Sequence, residues 1–429
     1  MVIFVVNLSS LANFATTNNI LEAFLAQVEQ FLNPKSTFCV LPWMHQYAHS
    51  DGNFSVCCFS IYQDEKNAFD KGMSPLESFN SPTMKSVRKQ MMNGEKPSQC
   101  KVCWDNEKFG IDSHRHRMNV RYEQYARLVE KTKEDGHLSS VPVYLDFRFG
   151  NLCNFKCRMC GIEASSTWAK EAKEFGYVNI DTPNSIDHWT DNNKMWDDME
   201  TIGKHTKVIY FAGGEPFVQK GHYRLLEFLA DRGYSKNIHL QYNTNLSYDG
   251  NFLSYEIEDL WKKFDKVELW PSIEGFGAKA EYGRTGLNWE LFQENAKRFN
   301  EYITTFSITS NIFSITSQIE LIKWIKAQNK NFFITNLINP FYLSTTVLSS
   351  EVKKQITKQY KEALNDKDFL KLLDRHNVLN IVDTLKHTNS KDDSHLAPRF
   401  KEYMNNGDKF NRTSFIDTFP EYKEWFNNI

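Results

Sequence analysis

Between residues 143 and 340, six short apolar runs rich in β-branched and aromatic residues alternate with five stretches of helical periodicity. No other feature constrains the fold as much. The strand-like runs are 143–149, 208–212, 238–243, 267–270, 306–312 and 332–338; the helical stretches are 165–175, 223–232, 256–264, 289–299 and 319–327. Strands separated by helices pair in parallel, because each helix carries the chain back to the same end of the sheet. Right-handed crossovers then curl such units into a barrel or an open sheet. Six units are too few to close an eight-fold barrel.

The rest of the chain is organised around this unit. Residues 1–6 are apolar and 20–32 are amphipathic, stopped by Asn33-Pro34. From 37 to about 110 the pattern is irregular, punctuated by Pro42, Gly52, Pro75, Pro82, Gly94 and Pro97, with a strand expected at 53–59 after the Asp51-Gly52 turn. A polar helix is expected over 115–134, and its His114 and His116 read as a solvated face. An insertion at 181–204 carries Trp189 and Trp196, and residues 341–429 read as helical and polar, broken at 389–394. The expected division is a lead-in (1–36), a cysteine-rich module (37–112), a helical linker (113–140), the alternating unit (141–340) and a helical extension (341–429).

Charge narrows the function classes. Lys+Arg 51 against Asp+Glu 53 leaves a net charge of −2, which argues against nucleic acid or a membrane surface as partner. Hydrophobic content of 41% fits a globular chain, and no apolar run is long enough to span a bilayer. Residues 1–6 lack a basic flank and a cleavage site, so they read as a strand or docked terminus rather than a signal peptide. The cytoplasm is the expected compartment, and disulfides are rare there.

Eight cysteines in a reducing compartment call for another role, and all eight fall between Cys39 and Cys160. Cys153-x3-Cys157-x2-Cys160 joins the first strand of the alternating unit to its first helix. Three thiolates on one loop hold three corners of an iron–sulfur cubane and leave one iron open, whereas a structural zinc ion wants a fourth ligand nearby. The second set is Cys39, Cys57, Cys58, Cys100 and Cys103. A turn at Asp51-Gly52 brings Cys57 back toward Cys39, and Cys100-x2-Cys103 adds a knuckle. Neighbouring strand residues face opposite sides, so only one of Cys57 and Cys58 is expected to join Cys39, Cys100 and Cys103. Four thiolates suit a second [4Fe–4S] cluster or a zinc ion, and spacing alone does not choose between them.

The Cys153-x3-Cys157-x2-Cys160 loop after a first strand resembles the signature of the radical S-adenosylmethionine (SAM) superfamily. That resemblance implies a partial (β/α)6 TIM-like barrel, a [4Fe–4S] cluster on these cysteines, and reductive cleavage of SAM to a 5′-deoxyadenosyl radical. Gly213-Gly214-Glu215-Pro216 closes the second strand and resembles the family's GGEP motif, which meets the SAM ammonium group. Ser272-Ile273-Glu274-Gly275 resembles the segment that holds the SAM ribose, with Glu274 one methylene longer than the usual Asp. The resemblance also implies SAM contacts from Met159, from Arg284 to the carboxylate, and from Asn311 at the barrel mouth. The second cysteine set resembles a SPASM domain in its shorter, one-cluster "twitch" form, placed here before the barrel rather than after it, and the family spacing Gly52-x4-Cys57 implies Cys57 rather than Cys58 as the ligand beside Cys39, Cys100 and Cys103.

The expected activity is therefore that of a radical SAM enzyme, oxidoreductase-like or peptide-modifying. Its expected partners are a low-potential electron donor and an unidentified peptide or small polar substrate. The rival reading is a non-catalytic iron–sulfur or zinc protein. The residues that would touch the substrate are not legible.

Overall fold

The structure, a computed structural model, describes residues 36–60, 72–110, 112–186, 189–191, 193–247, 251–252 and 255–429. The strand and helix expected at 1–6 and 20–32 lie outside these residues. The described strands are β1 (His45–Ala48), β2 (Phe54–Ser55), β3 (Tyr144–Phe147), β4 (Lys156–Cys157), β5 (Val208–Phe211), β6 (His239–Thr244), β7 (Asn251–Phe252), β8 (Tyr255–Glu256), β9 (Lys266–Pro271), β10 (Arg284–Thr285), β11 (Thr305–Ser310) and β12 (Asn331–Asn336). A six-stranded sheet runs β2-β1-β3-β5-β6-β9, parallel throughout except for β2. Single bridges, Leu269 to Ile303 and Ser272 to Ser307, carry it on toward the parallel pair β11–β12. The molecule is thus α/β with a curved parallel sheet, in keeping with a partial TIM-like barrel. β1, from the cysteine-rich stretch, extends this sheet as the parallel neighbour of β3.

The two-residue period of a strand sorts the side chains onto two faces. Ala48, Phe147, Phe211, Tyr242 and Leu269 stand in register and are all buried. This face packs on the crossover helices, with Phe211 against His222 of helix Lys220–Asp231 and Tyr242 against Trp261 of helix Ile257–Trp261. The opposite, concave face carries Tyr47, Asp146, Tyr210, Gln241 and Glu268 in register. Ring contacts between strands that are not neighbours, Tyr210–Trp270 at 5.6 Å and Trp270–Phe333 at 6.0 Å, mark this face as the inside. A closed barrel fills its interior with Val, Ile and Leu; this interior is polar.

Local chemistry explains where expected elements fall short. β11 stops at Ser310 because the Asn311 side chain accepts the N–H groups of Phe313 and Ser314, turning the chain. The strand expected over 53–59 is only Phe54–Ser55, since a turn at Cys57–Ser60 ends it. The helix expected over 115–134 is two pieces, His114–Arg121 and the 3₁₀ segment Glu123–Lys131, broken at Tyr122. These pieces cover the open side of the sheet, with Arg121 lying 5.2 Å from the Trp270 ring and Tyr122 5.4 Å from Tyr144. The C-terminal stretch is helical, and its helix Arg375–Thr388 docks on β12 where Asn380 accepts from the Ile334 N–H. Among the described residues no helix is long and apolar enough to cross a membrane.

Candidate functional site

The three-cysteine loop leaves β3 at the carboxyl end of the sheet, the end at which parallel α/β folds place their sites. Backbone bonds fix it from both sides. β4, inside the loop, pairs antiparallel with β10 and sets Arg284 opposite Cys157, while the Arg158 N–H donates to the Gly283 carbonyl. Ser165 and Thr167 hydroxyls both donate to the Phe155 carbonyl, and the Trp168 indole donates to that of Cys157.

Gly213-Gly214-Glu215 closes over the start of the loop. The Glu215 N–H and the Gln219 side chain both donate to the Leu152 carbonyl. Gly214 has φ +46°, and a Cβ there would lie 2.3 Å from that same carbonyl oxygen, so only glycine allows the approach. The Glu215 side chain is buried and accepts from Thr244 Oγ1 at 2.8 Å and from the Asn245 N–H at 2.7 Å, with a third donor in Phe217 N–H. Burial outweighs these donors and pushes its carboxyl up to about 7. Thr244 and Asn245, at the end of β6, are what position it.

The thiols sit in contrasting surroundings. Burial first, then the neighbouring Cys157, pushes Cys153 up to about 12. A hydrogen bond with the Cys160 thiol, helped by the Arg284 guanidinium, draws Cys157 below the ordinary thiol range and sends Cys160 well above it. Arg284 Nη1 lies 3.6 Å from Cys157 Sγ, while its Nε and Nη2 grip Glu274 in a buried fork. Glu274 and Arg284, matched to the ribose and the carboxylate of SAM, are therefore paired with each other here. Ser272 accepts from Asn243 at 3.2 Å, and the Asn311 side chain is taken up by its own turn. Met159 and Cys160 border a cavity of about 680 Å³ walled by Trp168, Tyr177, Tyr342, Tyr403 and Arg399.

The residues between the cysteines are held by the C-terminal extension. Arg158 is buried, with Nη2 2.9 Å from Asp408 and 2.8 Å from Thr413, and its carbonyl accepts from the Tyr403 hydroxyl. Lys156 pairs with Glu171 and lies 4.2 Å from the Phe410 ring. Helix Ala397–Asn411 thus braces a loop some 240 residues earlier in the chain. Asp408→Ala should leave the Arg158 charge buried and unpaired, at a cost on the order of 3 kcal/mol. Thermal denaturation together with amide exchange across 154–160 checks this, and unchanged exchange there would refute the brace.

The second cysteine set also converges. Cys39, Cys57, Cys100 and Cys103 line one small pocket of about 20 Å³ with Leu41, Pro42, Val56, Phe59, His114 and Arg115, while Cys58 is exposed outside it. Cys57 and Cys58 diverge at a turn rather than along a strand. His114, expected on a solvated face, is a wall of this pocket and lies 4.7 Å from the Phe59 ring. The adjacent Arg115 is buried, bound to Glu107 and to the Phe38 carbonyl. Burial pushes Cys39 up to about 12, with Cys103 as the next cause, so the thiol is neutral until a metal draws off its proton. Among the described residues no three His, Cys, Asp or Glu side chains are spaced to grip a single metal ion. A cubane takes each thiolate at a different corner, and in this pocket it would have to replace the void by spreading the four side chains.

Residues 147–325 match the family described as the radical SAM superfamily. They form a radical SAM domain. The match begins on β3 and takes in the three-cysteine loop, Gly213–Glu215 and Arg284. A radical SAM domain implies a [4Fe–4S] cluster and SAM, and three thiols on a clasped loop with an N–H donor at one sulfur fit the cluster. Solved structures similar to the chain include Streptococcus suis SuiB bound to S-adenosylmethionine, at 13% identity, TM-score 0.34, 72% of this chain and 65% of that one. SuiB bound to precursor peptide SuiA has the same values, and SuiB alone has 13% identity, TM-score 0.35, 67% of this chain and 63% of that one. The chain spans about 65% of the length of the first of these.

Proposed function

We propose that the chain reductively cleaves SAM and uses the resulting 5′-deoxyadenosyl radical to take a hydrogen atom from a peptide or small polar molecule. The observation that carries this reading is the joining of Cys153, Cys157 and Cys160 on one loop that Gly213–Glu215 and β10 clasp. When bound, the [4Fe–4S] cluster supplies one electron and an open iron for the amino-acid end of SAM. Glu215 takes the ammonium group, Arg284 the carboxylate once its fork on Glu274 is shared, and Ser272 with Asn243 a ribose hydroxyl. Met159, Gly213, Gly214, Pro216 and Asn311 shape the surrounding cradle. Cys39, Cys57, Cys100 and Cys103 hold an auxiliary [4Fe–4S] cluster in a twitch-type module that relays electrons or braces the fold. A low-potential donor in the cytoplasm supplies the electrons.

The test is anaerobic reconstitution, chemical reduction and detection of 5′-deoxyadenosine; a reduced, iron-loaded chain that leaves SAM intact would make this a non-catalytic cluster protein.

Glu215 gives a sharper expectation. A cation arriving beside a carboxyl raised to about 7 favours its ionised form, so SAM binding releases a proton. SAM affinity should then rise from pH 6 to 8 in the wild type and much less in Glu215→Gln. At pH 8 the variant should bind more weakly by about 1.5–3 kcal/mol, the worth of a charge-assisted contact, with cluster absorption retained. Titration calorimetry checks this, and equal affinities at pH 8 would remove Glu215 from the cradle.

A further inference from the structure

Twelve buried polar side-chain atoms among the described residues have no hydrogen-bond partner, and several collect on the concave face of the sheet. They include Asp146 Oδ1 and Arg148 Nη1 on or just past β3, Gln241 Oε1 on β6 and His45 Nδ1 on β1. A native interior satisfies nearly all such groups, so orphans gathered on one face ask for a ligand. Asp146 and Gln241 are 2% and 1% exposed and form the floor. Tyr210 stands between them in register, and Arg148, Asn243 and Trp270, one step on toward the carboxyl end of the sheet, are half-buried, with residue Cys58 exposed beside them. None of these groups is used to hold the three-cysteine loop.

The geometry of Arg148 restricts what can bind. Its guanidinium lies 5.2 Å from both the Tyr47 and Tyr210 rings, which fix its plane. Nη2 is 3.2 Å from Asp146 Oδ1, and Asp146 Oδ2 is 3.6 Å from His45 Nε2. The Asp146–Arg148 pair is neutral as a unit. An anion reaching Nη1 would meet the Asp146 charge, and a cation reaching Asp146 would meet Arg148. What remains without a partner, beyond the ion pair of Asp146 Oδ1 with Arg148 Nη2, is one N–H donor, Arg148 Nη1, and one acceptor, Gln241 Oε1. A neutral group offering both a carbonyl oxygen and an N–H complements this set, and the flat Tyr210 and Trp270 rings, 5.6 Å apart, wall it.

We infer that the chamber over Asp146, Arg148 and Gln241 is the substrate site and that it docks an amide group of the substrate, from a peptide backbone or a side-chain carboxamide. Arg148 Nη1 donates to the amide oxygen, and Gln241 Oε1 or Asp146 accepts from its nitrogen. This deepens the radical SAM reading and rests on it for one of the two measurements below.

The first measurement uses the reduced, two-cluster enzyme with SAM and one of three probes carrying deuterium on carbon. These are N-acetylalanine N-methylamide for a backbone amide, butyramide for a carboxamide, and butyrate as the anion of matched size. Abstraction breaks a C–D bond of the bound probe and forms one in 5′-deoxyadenosine, which mass spectrometry reads. Deuterium from at least one amide should exceed that from butyrate tenfold, and the better amide tells which source fits. Arg148→Met and Gln241→Met should each lose tenfold of that transfer while still releasing unlabelled 5′-deoxyadenosine. The amide site is overturned if butyrate labels as well as the amides, if no amide labels, or if both variants label like wild type.

The second measurement is saturation-transfer NMR of the same probes on the full chain without clusters. If wild type forms no 5′-deoxyadenosine, the radical SAM reading fails and this measurement alone decides. Amide signals that weaken in both variants uphold the site; signals absent or unchanged overturn it.

Discussion

Alanine at Cys153, Cys157 and Cys160 together is expected to abolish 5′-deoxyadenosine formation, a loss of several orders of magnitude that no other set of side chains should match. The reason is geometric before it is chemical. The loop is fixed by β4–β10 pairing, by the Ser165 and Thr167 hydroxyls on the Phe155 carbonyl, and by the Glu215 N–H on that of Leu152. None of these bonds uses a thiol. The triple variant should therefore keep its fold and lose only the anchors, which circular dichroism separates from general unfolding. Turnover retained in a folded triple variant would sink the enzyme reading. Each single alanine variant should lose the reaction as well, because a cluster with one open iron needs all three anchors.

The second large effect concerns iron. Reconstituted wild type should carry about eight irons per chain, two cubanes of four, and the triple barrel-loop variant about four. The remaining four should vanish in Cys39→Ala, Cys57→Ala, Cys100→Ala or Cys103→Ala, because these thiols line one pocket. Cys58→Ala should keep them, since Cys58 stands outside that pocket among the neighbours of Asp146 and Arg148. Iron and acid-labile sulfide analysis decides this. One equivalent of zinc without sulfide in the barrel-loop variant would replace the auxiliary cluster by a structural zinc site. A Cys58 variant that loses iron while a Cys57 variant keeps it would reverse the ligand choice.

Period and spacing carry the legible part of this protein. The runs at 208–212 and 238–243 are β5 and β6 to within a residue, because an apolar run between helical stretches has few other ways to bury itself. Trp289–Arg298 and Gln318–Ala327 are helices where the 3.6-residue period placed them. Boundaries slipped where a side chain competed with the backbone, as Asn311 does by ending β11. Motif spacing led to the three-cysteine loop and to Gly213–Glu215, since both are local in the chain.

What spacing could not show is what lies across the fold. The alternating α/β unit and the three-thiol loop after its first strand can be read from the chain alone, because strand period, helix period and loop composition are encoded within a few residues. Packing across the fold sets the rest: Glu274 grips Arg284, Arg158 is held by Asp408 250 residues away, and Cys57 and Cys58 part at a turn. It also sets Asp146, Tyr210 and Gln241, each an unremarked polar residue in its own strand, side by side on the concave face of the sheet. Those outcomes depend on strand register and helix docking, which are set by packing summed over the whole core and leave no local trace in the chain.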